Sequence, residues 1–233
     1  APSAPCLRWQ AMGWSYGQVE HAVQDLALAL DRAGITSGDR VGVLCTPRPE
    51  YLMLLLAISR VGAVFVGINP RYTAAECRHV LETVQPRLVF SLRRCEQDDF
   101  IERLSQAQGG LRAVPVIGFH DPDDLLATAR SSAGLPGIGA SVDPTDPATG
   151  DALAHCAAVV FTSGTTGKPK AAMLGHRGLL LAARIQHQRL NPARPRYLCN
   201  LPINHVGGIM NLTLGCLVGG GTLVRSDEHT SEL

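Results

Sequence analysis

Apolar positions along the chain switch between two spacings. In "SYGQVEHAVQDLALALDRAG", residues 15–34, Val19, Val23, Leu26 and Leu30 recur at helical intervals and fall on one face. Ser15 and Gln18 stand at capping-box spacing and Gly34 follows as a stop, which predicts a helix between them. "RVGVLC" (40–45) is a continuous apolar run that reads as a buried strand, and "PEYLMLLLAISRVG" (49–62) as a mostly buried helix. "AVFVGI" (63–68) predicts another strand. Thr73 and Glu76 repeat the capping-box spacing and open a helix with Cys77, Val80, Leu81 and Val84 on one face. "RLVFS" follows as a strand, residues 98–107 as a helix, and "AVPVIGF" as a strand. The pattern then resumes as strand 157–161, loop 162–175, helix 176–190, strand 197–201, helix 206–218 and strand 221–225.

This alternation, with continuously apolar strands, predicts an α/β fold of parallel sheets with helices on both faces. Residues 131–151, rich in Gly, Pro, Ser and Asp, read as an exposed loop or a linker, and composition does not choose between the two. The uncharged run 206–224 is long enough to test as a membrane span. Its triple glycine at 219–221 would break such a helix, so a helix, a turn and a strand inside a core are expected, and no transmembrane segment. With 45% hydrophobic and 18% charged residues the chain is globular, and a formal net charge of +1 gives no concentrated basic face for nucleic acid. Seven cysteines in apolar contexts, with no C-x-x-C, suit reduced thiols in a cytoplasmic protein rather than a disulfide framework or a zinc site.

The candidate chemistry lies in "FTSGTTGKPKAAMLGHRGLL", residues 161–180. Thr162 to Lys170 directly follow the apolar run "AAVVF", so they occupy the carboxyl end of a strand, where open α/β sheets bind ligands. Gly164 and Gly167 allow close backbone approach, and successive N–H groups in such turns form a concave anion site. The hydroxyls of Thr162, Ser163, Thr165 and Thr166 are rotatable donors that can also ligate Mg²⁺, with Thr166 the candidate metal ligand. Lys168 and Lys170 add positive charge around the stiffening Pro169. A polyphosphate fits this set, and a ligand-free polar turn is the competing reading. The Walker P-loop does not fit: two residues, not four, separate the glycines, and Pro169 stands where Ser or Thr is required.

"TSGTTGKPK" resembles the phosphate-binding signature of the adenylate-forming superfamily, which includes acyl-CoA synthetases, luciferases and peptide-synthetase adenylation domains. "WSYGQVEHAVQDLALALDRAGITSGDRVGVLC", "AISRVGAVFVGINPRYTAAECRHVLETVQPRLVF" and "LPINHVGGIMNLTLGCLVGGGTLV" resemble further blocks in the family's order. The resemblance implies that a carboxylate attacks the α-phosphate of Mg·ATP, releasing pyrophosphate. A thiol, usually that of coenzyme A, then takes the acyl group. It implies that residues 162–167 wrap the departing phosphates and that Lys170 holds the invariant basic position, while Lys168 is variable. It also places His205, in "PINHVGG", near the reacting carboxylate; a cap on the following helix is the alternative role.

Some positions depart from the family pattern. Ala171 stands where Gly is usual, Gly175 and Gly178 where Ser or Thr and Asn are commoner, and Asn204 where aromatics are common. Family enzymes are much longer, so residues 1–225 are expected to be part of a large N-terminal AMP-binding domain whose C-terminal domain is absent. The fragment alone is then expected to be inactive, with some apolar faces uncovered. The chain does not begin with Met, and "RSDEHTSEL" differs by one residue from a peptide encoded by a common sequencing adapter, so 226–233 is expected to be a non-native tail. The alternatives are an adenylation domain loading a carrier protein and a noncatalytic nucleotide-binding fragment.

Overall fold

The computed structural model describes residues 1–131, 135–137, 156–162, 169–190, 196–199 and 205–225. An amino-terminal hairpin, β1 (Pro5–Trp9) and β2 (Met12–Ser15), leads into α1 (Tyr16–Arg32). There follow β3 (Arg40–Leu44), α2 (Pro49–Arg60), β4 (Val64–Ile68), α3 (Ala74–Val84) and β5 (Leu88–Leu92). A short hairpin, β6 (Arg94–Cys95) and β7 (Asp98–Asp99), precedes α4 (Phe100–Gln108), β8 (Val116–Phe119) and α5 (Pro122–Arg130). The remainder comprises β9 (Cys156–Thr162), β10 (Lys170–Gly175), α6 (His176–Leu190) and β11 (Arg196–Leu198). A π-helical stretch, Gly208–Leu214, then continues as α7 (Gly215–Val218) and leads to β12 (Thr222–Arg225).

The larger sheet has the order β10-β9-β4-β3-β5-β8 and is parallel except for its edge strand β10, which runs antiparallel to β9. The connection β3–α2–β4 steps one way along the sheet and β4–α3–β5 steps back across β3. Right-handed crossovers therefore put α2 and α3 on opposite faces. In agreement, α1, α2 and α5 pack together, and α3 packs with α4. The central strands β3, β4 and β5 are buried from both sides, with Val41, Val43, Val64, Phe65, Val66, Val89 and Phe90 all fully inaccessible. This is the helix-covered parallel sheet that the apolar runs predict. The smaller sheet, β11-β12-β1-β2, joins the amino-terminal hairpin to the last described strand, with Trp9 opposite Arg225.

Both capping boxes form. Ser15 and Thr73 each accept from the backbone N–H three residues on, and Gln18 and Glu76 reach back to the cap N–H groups. Gly34 ends α1 at φ +83°, and the Ile35 N–H closes the turn on the Leu30 carbonyl.

One expectation needs correction. Residues 170–175 are a strand, not part of a loop over 162–175. Within 131–151, where an exposed connection is expected, Leu135 is buried against the core, while Ser131, Pro136 and Gly137 are exposed. The rest of that stretch, like residues 226–233, lies outside the described residues. Three features went unpredicted: the β1–β2 hairpin, the β6–β7 hairpin, and α5, which Asp121 caps by accepting from the Asp124 N–H, with Pro122 in its first turn. Large apolar side chains are exposed on β10 and α6: Met173, Leu180, Leu181 and Ile185, at 42–56%.

Candidate functional site

The carboxyl ends of β3, β4 and β9 lie side by side because these strands are parallel neighbours. The helices after β3 and β4 leave to opposite faces, which opens a crevice at that crest. β9 carries the candidate loop there. Its residues Cys156 to Phe161 are buried, with β4 on one side and β10 on the other; only Thr162, at the tip, is exposed.

Thr162 is paired with Lys170, the first rung of an antiparallel ladder that continues through Leu174 opposite Ala158. The Thr162 hydroxyl lies 3.4 Å from the Lys170 carbonyl, long enough to be exchanged for a better acceptor. Thr162 on β9 and Lys170 on β10 are therefore fixed opposite each other. Ser163, Gly164, Thr165, Thr166, Gly167 and Lys168 lie outside the described residues. The two site residues that flank them are described: Thr162 contributes an exposed hydroxyl and Lys170 an exposed ammonium.

A residue absent from the sequence reading meets the chain next to Lys170. His79 Nε2, on α3, is 2.9 Å from the Pro169 carbonyl oxygen. No local signal could reveal it, because the partners are 90 residues apart and His79 lies off the apolar stripe of its helix.

His205 stands on another element. Its Nδ1 accepts from the Gly207 N–H at 3.2 Å, and its carbonyl accepts from Gly208 and Ile209. It thus caps the turn that opens the π-helical stretch. The ring proton is then on Nε2, which the cap does not use. The π-helical stretch packs on α6, and α6 packs on β10. Asn204 lies outside the described residues.

Near the same crest, Glu50 in the first turn of α2 is fully buried beside Arg48 at 3.1 Å. Burial pushes its carboxyl above the usual range; Arg48 opposes this, and Asp121 adds to it. Arg48 also covers the Trp9 ring at 4.7 Å and donates to the His120 carbonyl. A surface hollow lies at the other end of the sheet, lined by Gln24, Asp31, Ser37 and Arg60 among others. Among the described residues, no group of three His, Cys, Asp or Glu could hold a metal, and no helix is long and apolar enough to cross a membrane.

The family model for AMP-binding enzymes matches residues 1–233. The chain belongs to the AMP-binding enzyme family. Relatives of this AMP-binding enzyme include the indoleacetate–CoA ligase of Aromatoleum aromaticum, 32% identical over 99% of this chain and 44% of that protein. The medium-chain fatty-acid–CoA ligase of Escherichia coli is 31% identical over 91% of this chain and 37% of that protein. Among solved structures, ATP-bound MatB from Rhodopseudomonas palustris matches at TM-score 0.72 and 25% identity, over 96% of this chain and 42% of that one. VinN in complex with 3-methylaspartate matches at TM-score 0.75 and 22% identity, over 97% and 58%, a likeness of fold. The chain thus spans roughly two-fifths of the length of these two curated relatives.

Proposed function

We propose that the protein to which this chain belongs activates a carboxylic acid with ATP, forming an acyl-adenylate and pyrophosphate, and then transfers the acyl group to the thiol of coenzyme A. A free carboxylate is a poor acylating agent. Attack of its oxygen on the α-phosphate breaks the bond to the departing pyrophosphate, and charge moves onto that group. In the second step the thiolate sulfur bonds to the acyl carbon and AMP departs with the electron pair of the acyl–oxygen bond. The chain's contribution to the first step is electrostatic: donors and cations arranged where charge accumulates.

In this reading Thr162, Ser163, Gly164, Thr165, Thr166 and Gly167 wrap the β- and γ-phosphates with backbone N–H groups and hydroxyls, and Lys170 supplies the fixed positive charge. The observation that carries it is the Thr162–Lys170 rung. It sets a threonine and a lysine opposite each other at the tip of a buried strand, with seven residues, two of them glycine, between them in sequence. Mg²⁺, when bound, neutralises phosphate charge, and the hard oxygen donors of this segment suit it. Thr166 is its proposed ligand; the Thr162 hydroxyl faces the Lys170 carbonyl. His205, with Nδ1 fixed in the helix cap, is proposed to present Nε2–H toward the acyl pocket. Seven thiols, six of them buried, suit a cytoplasmic setting.

ATP–pyrophosphate exchange by the protein from the complete reading frame, over a panel of carboxylates, tests the assignment. Lys170→Ala is expected to lower exchange by roughly 100-fold or more, and Lys168→Ala by no more than about threefold. Equal effects would remove Lys170 from its role.

A further inference from the structure

We infer that His79 is a positioning residue for the phosphate-loop cation, holding the Pro169–Lys170 peptide in place from outside the sheet. The inference rests on the phosphate-binding reading above and adds a residue to it. Among the described residues β10 is the edge strand of its sheet and pairs with β9 alone. One flank of the hairpin therefore meets no described strand. On that hairpin the Pro169 carbonyl comes one residue before the first rung, and His79 Nε2 meets it at 2.9 Å. A carbonyl oxygen only accepts, so Nε2 carries the proton.

The peptide unit is planar, so the Pro169 carbonyl and the Lys170 N–H belong to one rigid body. Proline also fixes its own φ. A hydrogen bond that holds this carbonyl therefore orients the chain as it enters Lys170 Cα, from which the ammonium-bearing side chain departs.

The support behind His79 is firm. α3 is opened by the Thr73–Glu76 capping box and seated by Cys77, Val80, Leu81 and Val84. Thr83 donates to the His79 carbonyl at 2.7 Å, and Arg78 pairs with Glu82 and donates to the Gly109 carbonyl. His79 is half-buried, off the apolar stripe. Its ring thus links a helix seated on the sheet to the one end of the phosphate connection that an edge strand would otherwise hold alone.

The test uses the 233-residue chain and inorganic pyrophosphate with Mg²⁺, followed by calorimetry, together with thermal melting. His79→Leu fills the space without a donor, and His79→Gln restores an N–H at similar reach. We expect His79→Leu to weaken pyrophosphate binding about fivefold, His79→Gln to bind within about twofold of the parent, and both to melt within about 2 °C of it. His79→Asn, polar but too short to reach, must lose affinity as His79→Leu does, and it replaces His79→Leu if that variant does not fold. Parent binding that His79→Leu leaves unchanged overturns the positioning role alone. Equal weakening in His79→Leu and His79→Gln, or weakening that tracks a lowered melting point, shows a packing role and also overturns it. If the parent shows no pyrophosphate binding beyond that of Lys170→Ala, the phosphate reading itself fails and the positioning role falls with it.

Discussion

At the scale of single residues, Glu50 is a buried carboxyl whose setting opposes its charge. It sits in the first turn of α2, where the helix dipole favours negative charge, yet it is fully buried beside one arginine, and desolvation outweighs both. Its carboxyl is raised from the ordinary 4.5, so the folded chain keeps a proton that the unfolded chain has already lost. Between those two values the folded state binds more protons, and stability must fall as pH rises. The melting point of the parent is therefore expected to decline from pH 5 to 7 relative to Glu50→Gln, in which the group cannot ionise. Parallel curves for the two proteins would show that burial of this carboxyl has no such cost. At His205 the cap engages Nδ1 and leaves Nε2 outside it, the atom that the proposed role needs.

At the scale of elements, helix ends were the most legible part of the chain. Ser15, Thr73 and Gly34 each take the cap position that their spacing predicts, because capping depends only on neighbours in sequence. The continuous strands were legible for a related reason, since strands buried on both faces lack polar interruptions. β10 was not. Its inward positions, Ala172 and Leu174, alternate with exposed Met173 over too short a span, and it follows directly on the polar run that marks the loop. That Ala172–Met173–Leu174 alternation was the available signal. α3 also ends on Gln85 in the left-handed region at φ +45°, a conformation that costs a non-glycine residue energy. Gln85→Gly is expected to stabilise the chain by about 1 kcal/mol, read as a higher denaturation midpoint at unchanged slope. A lower midpoint would show that the side chain contributes more than the strain removes.

At the scale of the whole molecule, the fold brings to one crest what the sequence keeps apart. β9 supplies Thr162, β10 supplies Lys170, and α3 reaches across from the preceding crossover with His79. Local pattern disclosed the first two because they flank a recognisable glycine- and hydroxyl-rich run. It could not disclose the third, since contacts across 90 residues are set by strand order, which spacing does not encode. The exposed apolar side chains of β10 and α6 lie on the elements that follow the same loop, next to the proposed site. The central claim is that residues 162–170 hold the polyphosphate of ATP. Its most direct test is equilibrium ATP binding by the protein from the complete reading frame, with Thr165, Thr166 and Gly167 all replaced by alanine. Affinity is expected to fall by about 100-fold. Unaltered affinity in a correctly folded variant would contradict the account.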